Sequence, residues 1–309
     1  MGAADPRPAL AAALLFLLGG SMAAGADGPD GLAVIEPEPG VFVHLGKQLP
    51  LDAPGHDDIA NIGFIVGAKC TAVIDSGGSM RIGEALRREI ARRTPVPVCY
   101  VINTHVHVDH VLGNAAFAGA HPSFVGHAQL PGAIERSRDF FAREYGADLG
   151  KAEVIAPDRT VRDTLELDLG GRTLELRAWP TAHTDCDLTV FDTATRTLWT
   201  GDLLFRERLP ALDGSLIGWL RVLDALGRIP ALVVIPGHGT LSRELKPSIA
   251  AERRYLSALA EGVRAAIKRG DSMQQAIGQV AAGERADWQL WDAVHPHNVV
   301  RAWQELEWQ

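Results

Sequence analysis

The sequence predicts an α/β sandwich, two packed sheets with helices on their outer faces, followed by a C-terminal helical extension. Two observations predict the sandwich. The chain twice runs strand, helix, strand: Thr71 to Ile74, Arg81 to Arg93 and Val98 to Ile102, then Thr197 to Thr200, Leu216 to Leu226 and Leu232 to Ile235. Such βα units cross over right-handed and place their helices on a sheet face. Glycine-punctuated hairpins lie beside both units, at Gly67 and at Gly170-Gly171. A third observation, the mostly helical pattern from Arg243 onward, predicts the extension.

Taken in order, Gly40 to Leu45 alternates as a strand does. Ile62 to Val66 and Thr71 to Ile74 flank Gly67-Ala-Lys-Cys70 as a hairpin. Asp75-Ser-Gly-Gly-Ser79 makes a turn, and Ser79 caps a helix whose apolar positions Ile82, Ala85, Leu86 and Ile90 recur at helical spacing, with Glu89 out of pattern. Pro95 and Pro97 stop that helix, and Val98 to Ile102 reads as a buried strand. Leu112 to Phe117 and Gln129 to Tyr145 read as helices. Leu165 to Leu169 and Arg172 to Ala178 form a hairpin, and Leu188 to Phe191 is a further strand. The organisation expected is a leader over 1–26, one domain over 32–242 and the helical extension over 243–309 packed on that domain.

The leader is read from Arg7, the apolar run Ala9 to Leu18, and Ala24-Gly25-Ala26, which fits a small-x-small cleavage site. Ten apolar residues fall short of the ~20 needed to span a bilayer. The expectation is a periplasmic or secreted protein with no transmembrane anchor. A net charge of -8, from 38 acidic and 30 basic residues, makes nucleic acid an unsuitable partner. Three cysteines, Cys70, Cys99 and Cys186, build no disulfide framework. They read first as small buried side chains, and a Cys70–Cys99 bridge is compatible with an oxidising compartment.

The chemistry concentrates after the strand Val98 to Ile102, in Thr104-His-Val-His-Val-Asp-His110. Four metal-ligand side chains fall within six residues. Imidazole with carboxylate suits zinc, and also iron or manganese. His105 and His107 are two apart, so on extended backbone their rings share a side.

This motif resembles the signature of the metallo-β-lactamase superfamily, an αββα sandwich with its site at the rim where the sheets meet. The remaining ligand positions of that family are filled in order: His183 in Pro180-Thr-Ala-His-Thr-Asp185, Asp202 in Gly201-Asp-Leu-Leu-Phe205, and His238 in Ile235-Pro-Gly-His-Gly239. The resemblance implies two Zn2+ ions, with Fe or Mn as alternatives. It gives His105, His107 and His183 to the first, Asp109, His110 and His238 to the second, and Asp202 to both. It implies hydrolysis by metal-bound hydroxide, with Asp109 as the catalytic residue that orients the nucleophile. Asp202 stands where the commonest subclass of true β-lactamases has cysteine. His183-Thr-Asp-Cys-Asp-Leu-Thr-Val190 departs from the glycine-rich glyoxalase II pattern.

Asn61-Ile-Gly-Phe-Ile-Val-Gly67, Ala182 to Val190 and Phe205 to Trp219 resemble, more closely, the quinoprotein relay system zinc metallohydrolases. These are exported proteins that accompany pyrroloquinoline-quinone (PQQ)-dependent dehydrogenases and are akin to a sulfur-oxidation-associated hydrolase. That resemblance implies cleavage of an ester, thioester, lactone or amide in a small-molecule substrate, with a PQQ-dependent dehydrogenase system as partner. Two other readings stand beside it: a mononuclear iron enzyme that oxidises persulfides, and a non-catalytic metal-binding accessory to a quinoprotein. Candidate substrate contacts are His56, Arg206, Arg208, His297 and Asn298, the arginines as bidentate partners for a carboxylate. His295 shares the C-terminal neighbourhood of His297. His44, His121 and His127 read as structural, and the seven tryptophans as packing residues.

Overall fold

The structure is a computed structural model that describes residues 1–2, 31–150 and 153–308; nearly all of the expected leader lies outside the described residues. Two sheets face each other. The first has seven strands in sequence order: β1 (Ile35–Glu38), β2 (Val41–His44), β3 (Ile62–Val66), β4 (Thr71–Ile74), β5 (Val98–Ile102), β6 (Ser123–His127) and β7 (Arg159–Val161). Pairing is antiparallel from β1 to β4 and parallel from β4 to β7. The second sheet runs β12 (Val233–His238), β11 (Thr197–Phe205), β10 (Leu188–Asp192), β9 (Thr173–Ala178), β8 (Thr164–Asp168). It is antiparallel except for the parallel β11–β12 pair.

Val43, Ile65, Ile74 and Ile102 of the first sheet pack between the layers against Leu176, Val190, Trp199 and Ile235 of the second. The outer faces are covered separately. Helix α1 (Met80–Arg93) packs Ile82, Leu86 and Ile90 against Phe64, Val73 and Val101. Ser79 caps it by accepting from the Ile82 amide, as its position suggests. Glu89, the out-of-pattern residue, is buried and pairs with Arg92 and Arg93. On the second sheet, α5 (Leu216–Leu226), α6 (Leu245–Arg269) and α8 (Trp291–Leu306) share a core with Leu198, Leu203 and Val234. The helical C-terminal segment is continuous with the sandwich through this core, and α7 (Met273–Gln279) adds Ala276 to it. No described helix is long and apolar enough to cross a membrane.

Several elements differ from the sequence expectation, each for a physical reason. β1 has the sequence Ile-Glu-Pro-Glu, an edge strand whose charge and proline discourage further pairing and hide its strand character. β7 has three residues and is recruited by β6. The helix expected over 112–117 is instead α2 (Val108–Val111) followed by a 3-10 turn over Asn114–Ala120. Ser76 and Asn103 bond to the His110 carbonyl and Asn114 and draw this segment tight. Strand β11 is nine residues long, not four, because its register shifts twice between Trp199 and Phe205 and the chain continues through the irregularity. Cys70 and Cys99 are joined in a disulfide, which corrects their reading as free buried side chains; Cys186 is free and buried.

Candidate dinuclear metal centre

Five chain segments meet at one rim of the sandwich. The loop after β5 carries His105 and His107; α2 carries Asp109 and His110. The loop between β9 and β10 carries His183, β11 carries Asp202, and β12 ends on His238. The parallel register sets Gly201 opposite Pro236 and Phe205 opposite His238, so Asp202 and His238 arrive side by side.

The ligand atoms of His105, His107, His183 and Asp202 all lie within 4.8 Å of one another, and so do those of Asp109, His110 and His238. Asp202 joins the two groups. Its Oδ2 is 3.5 Å from His183 Nε2 and 3.2 Å from His238 Nε2, and its Oδ1 is 3.2 Å from His110 Nε2. Asp109 Oδ2 lies 3.3 Å from His238 Nε2. His105 Nε2, His110 Nε2 and Asp202 Oδ1 are buried, yet none makes an aligned hydrogen bond among the described residues. Polar atoms that close without hydrogen-bond alignment converge on a common point, as ligands of an ion do. Neutral imidazoles and carboxylates with a shared carboxylate fit a pair of divalent cations.

Second ring nitrogens fix the orientation of candidate histidine ligands, the usual arrangement around a metal. His183 Nδ1 donates to the Ala211 carbonyl and His238 Nδ1 to that of Ile59. His110 Nδ1 bonds to Asp75 Oδ2, and Asp75 is itself held by the amide and hydroxyl of Thr104. His107 is reversed. Its Nδ1 lies 3.0 Å from His183 Nε2, facing the cluster, while its Nε2 sits 2.9 Å from Asp213 Oδ2. Asp75 and Asp213 were missed in the sequence. Asp75 was read as a turn residue, and its φ of 52° shows that the turn is real. Its position at the end of a buried strand before Ser-Gly-Gly was the available signal. Asp213 lies in the Phe205 to Trp219 motif, which was its available signal, but only the fold shows that it meets His107.

Burial and neighbouring imidazoles favour the neutral form of two of the histidines, while against burial the carboxylates beside His107, His110 and His238 raise the pKa of those three. Burial first, then His110, holds His105 well below its usual value. Burial and then His107 bring His183 down to about 4. Both are therefore neutral, the ligating form. Burial works to raise Asp202, but His238, His110 and His105 overcome it and hold the carboxyl well below its usual range. Among the described residues, no lysine or arginine ion-pairs with Asp75, Asp109 or Asp202. Their direct partners are imidazoles, and the buried Arg208 guanidinium adds a longer-range attraction to Asp109 and Asp202.

Gly237 makes room for Asp202. A Cβ at Gly237 would lie 1.8 Å from Asp202 Oδ1 and 2.9 Å from its amide nitrogen. We expect Gly237→Ala to push Asp202 off its position. Metal content measured on folded protein should fall, with little change in helical circular dichroism.

The remaining candidates separate. Arg208 lines the cavity over the cluster, is buried, and donates to the Leu49 carbonyl. Arg206 is spent on the carbonyls of Thr240 and Leu241 and lines a different cleft. His56 turns to Asp148, 3.1 Å away, instead of into the cavity. His297 bonds Asp213 and thus stands behind His107. Asn298 is fully buried and ties Pro210, Leu212 and Tyr255 together. His295, stacked on Trp291, bonds the same tyrosine. His44 pairs with Asp58, and His127 Nδ1 accepts from the Gln129 amide. His121 ends the 3-10 turn in the left-handed region.

The model of the metallo-beta-lactamase superfamily matches residues 55–238, more than half of the chain and every ligand position above. The chain belongs to the metallo-β-lactamase superfamily. Among solved structures, the sec-alkylsulfatase Pisa1 from Pseudomonas sp. is similar at TM-score 0.66 and 15% identity, over 88% of this chain and 50% of that one. A metallo-β-lactamase from Pontibacter korlensis is similar at TM-score 0.59 and 20% identity, over 73% and 99%. The DIM-1 metallo-β-lactamase is similar at 0.58 and 17%, over 74% and 97%. At these identities the likeness is one of fold. The chain spans half the length of the alkylsulfatase. No curated protein matches the chain. The protein sets its candidate donors at the sandwich rim, and its helical C-terminal segment extends the fold.

Proposed function

We propose that the protein is a dinuclear zinc metallohydrolase that cleaves an ester, thioester, lactone or amide bond in a small molecule. The observation that carries this is the pair of donor clusters sharing Asp202 at the floor of a cavity. When bound, two zinc ions supply Lewis acidity to the scissile carbonyl and lower the pKa of water toward ~7. The chain's own residues do the rest. Burial and neighbouring Asp202 work against the Asp109 charge, but His110 and His238 hold its carboxyl far below the usual range. Asp109 therefore stays anionic and accepts a hydrogen bond from water at the cluster. Arg208 presents a buried guanidinium to the same cavity and binds an anionic group of the substrate. Asp213 fixes the His107 tautomer, so that Nδ1 faces the cluster. Seven donors exceed what a mononuclear iron site uses, which weighs against the persulfide-oxidising reading.

The finer assignment rests on the sequence motifs shared with the quinoprotein relay group, and the structure gives those residues work. Asn61 bonds the Gly46 amide and the carbonyls of Pro236 and Gly239, locking β3 to the His238 loop. Asp187 accepts from the amide and hydroxyl of Thr184 and closes the turn behind His183. We further propose export to the periplasm, which the Cys70–Cys99 disulfide supports, and service to a PQQ-dependent dehydrogenase system.

A panel of chromogenic esters, thioesters, lactones, amides and β-lactams tests the reaction, with an alkyl sulfate added because of the alkylsulfatase likeness. Turnover of a carbonyl substrate that chelation abolishes and zinc restores is expected. A metal-loaded protein inert to all of them would contradict the reading. N-terminal sequencing of the exported protein should begin near Gly25 or Asp27; retained Met1 would contradict export.

A further inference from the structure

The cavity over the cluster measures about 310 Å³, at the lower end of ligand-site sizes. Its floor is polar: His107, Asp109, Asp202, Arg208 and His238. Its walls toward the mouth are apolar and come from two separate pieces of chain. One is the strap between β2 and β3, which contributes Leu51. The other is α3 (Leu130–Glu144) running into α4 (Gly146–Leu149), which contributes Phe140, Phe141 and Tyr145. Leu51 and Phe140 are each 45% exposed, among the few large apolar side chains so exposed in the described residues. Both stand at the rim of one cavity, and isolated exposure elsewhere would mean little. The aromatic wall is ordered internally: Phe140 meets Tyr145 edge-on at 5.7 Å.

The two pieces are tied to each other. His56, at the end of the strap, bonds Asp148 of α4 through Nε2 and the Ala53 carbonyl through Nδ1, and its ring meets Tyr145 edge-on at 5.9 Å. This contact links residues 92 apart in the chain, just outside the cavity mouth.

We propose that Leu51 and the Phe140–Tyr145 wall form a clasp for an apolar chain or ring of the substrate, held shut by the His56–Asp148 contact. The inference rests on the hydrolase reading and deepens it: the substrate is an amphiphile, polar at the cluster and apolar toward the mouth. His56 is then a positioning residue that acts through the strap.

The test is binding, read apart from turnover. Metal-loaded protein is saturated with the fluorescent apolar anion 8-anilinonaphthalene-1-sulfonate, which straight-chain carboxylates from acetate to decanoate then displace. In the wild type, affinity should rise about two- to fourfold per methylene until the chain leaves the mouth. The uncharged variants Leu51→Ser and Phe140→Ser, both at exposed positions that leave the core intact, should weaken decanoate about tenfold and leave acetate unchanged. Asp148→Asn should weaken decanoate severalfold, again without effect on acetate. A wild type that binds decanoate no better than acetate overturns the proposal, and so do rim variants that keep the slope. An intact slope with no hydrolysis of any substrate would remove the hydrolase reading and leave the clasp standing.

Discussion

Asp109→Asn is expected to lower kcat by roughly two orders of magnitude or more, the range for loss of a positioned proton acceptor, with little change in KM. Asparagine keeps the shape of the side chain and removes its charge. Asp109 sits in the first turn of α2, buried, with Oδ2 3.3 Å from His238 and 3.6 Å from His110. Asp109 lines the cavity over the cluster. An interaction realised in the transition state shows in kcat and not in ground-state binding. The assay is run at saturating zinc, so that weaker metal binding is not mistaken for a catalytic loss. Near-normal kcat on any substrate that the wild type hydrolyses would remove Asp109 from the mechanism.

Asp202→Ala should have the larger effect on the site itself. Four imidazoles, those of His105, His110, His183 and His238, come within 3.7 Å of its carboxylate. In the proposed site, removing it deletes a ligand from both positions, while Asp75 and Asp109 stay beside His110 and Asp109 beside His238. Affinity at each position should fall by about tenfold to a hundredfold or more, since even outer-shell losses cost that much. Activity should fall with it. A variant that still holds two tightly bound metals would show that Asp202 does not bridge.

Much of this was legible in the sequence because most candidate ligands sit in loops or at element ends, where strand and turn signals are strongest. The run from Thr104 to His110 follows a buried strand, and Gly201-Asp202 and Pro236-Gly237-His238 are held by backbone constraints that leave a local mark. Side-chain steric room explains Gly237; the bulged register of β11 explains why Asp202 lies inside a strand that its flanking residues did not announce. What was illegible depends on contacts distant in sequence. Asp213 meets His107 across more than a hundred residues, and His56 finds Asp148 only once α4 has folded beside the strap. Arg206 and Arg208 look alike in sequence, and only the turn between them, with Glu207 at φ 68°, sends one outward and the other into the cavity. Strands β1 and β7 are short and polar, and they exist because a neighbouring strand offers them a ladder.

The central claim is that the two donor clusters form one bridged, two-metal site. Metal content per chain of the purified, exchange-equilibrated protein tests it most directly. Close to two equivalents, mainly zinc, is the result expected, falling below one in Asp202→Ala. A single tightly held equivalent per wild-type chain, iron above all, would contradict it.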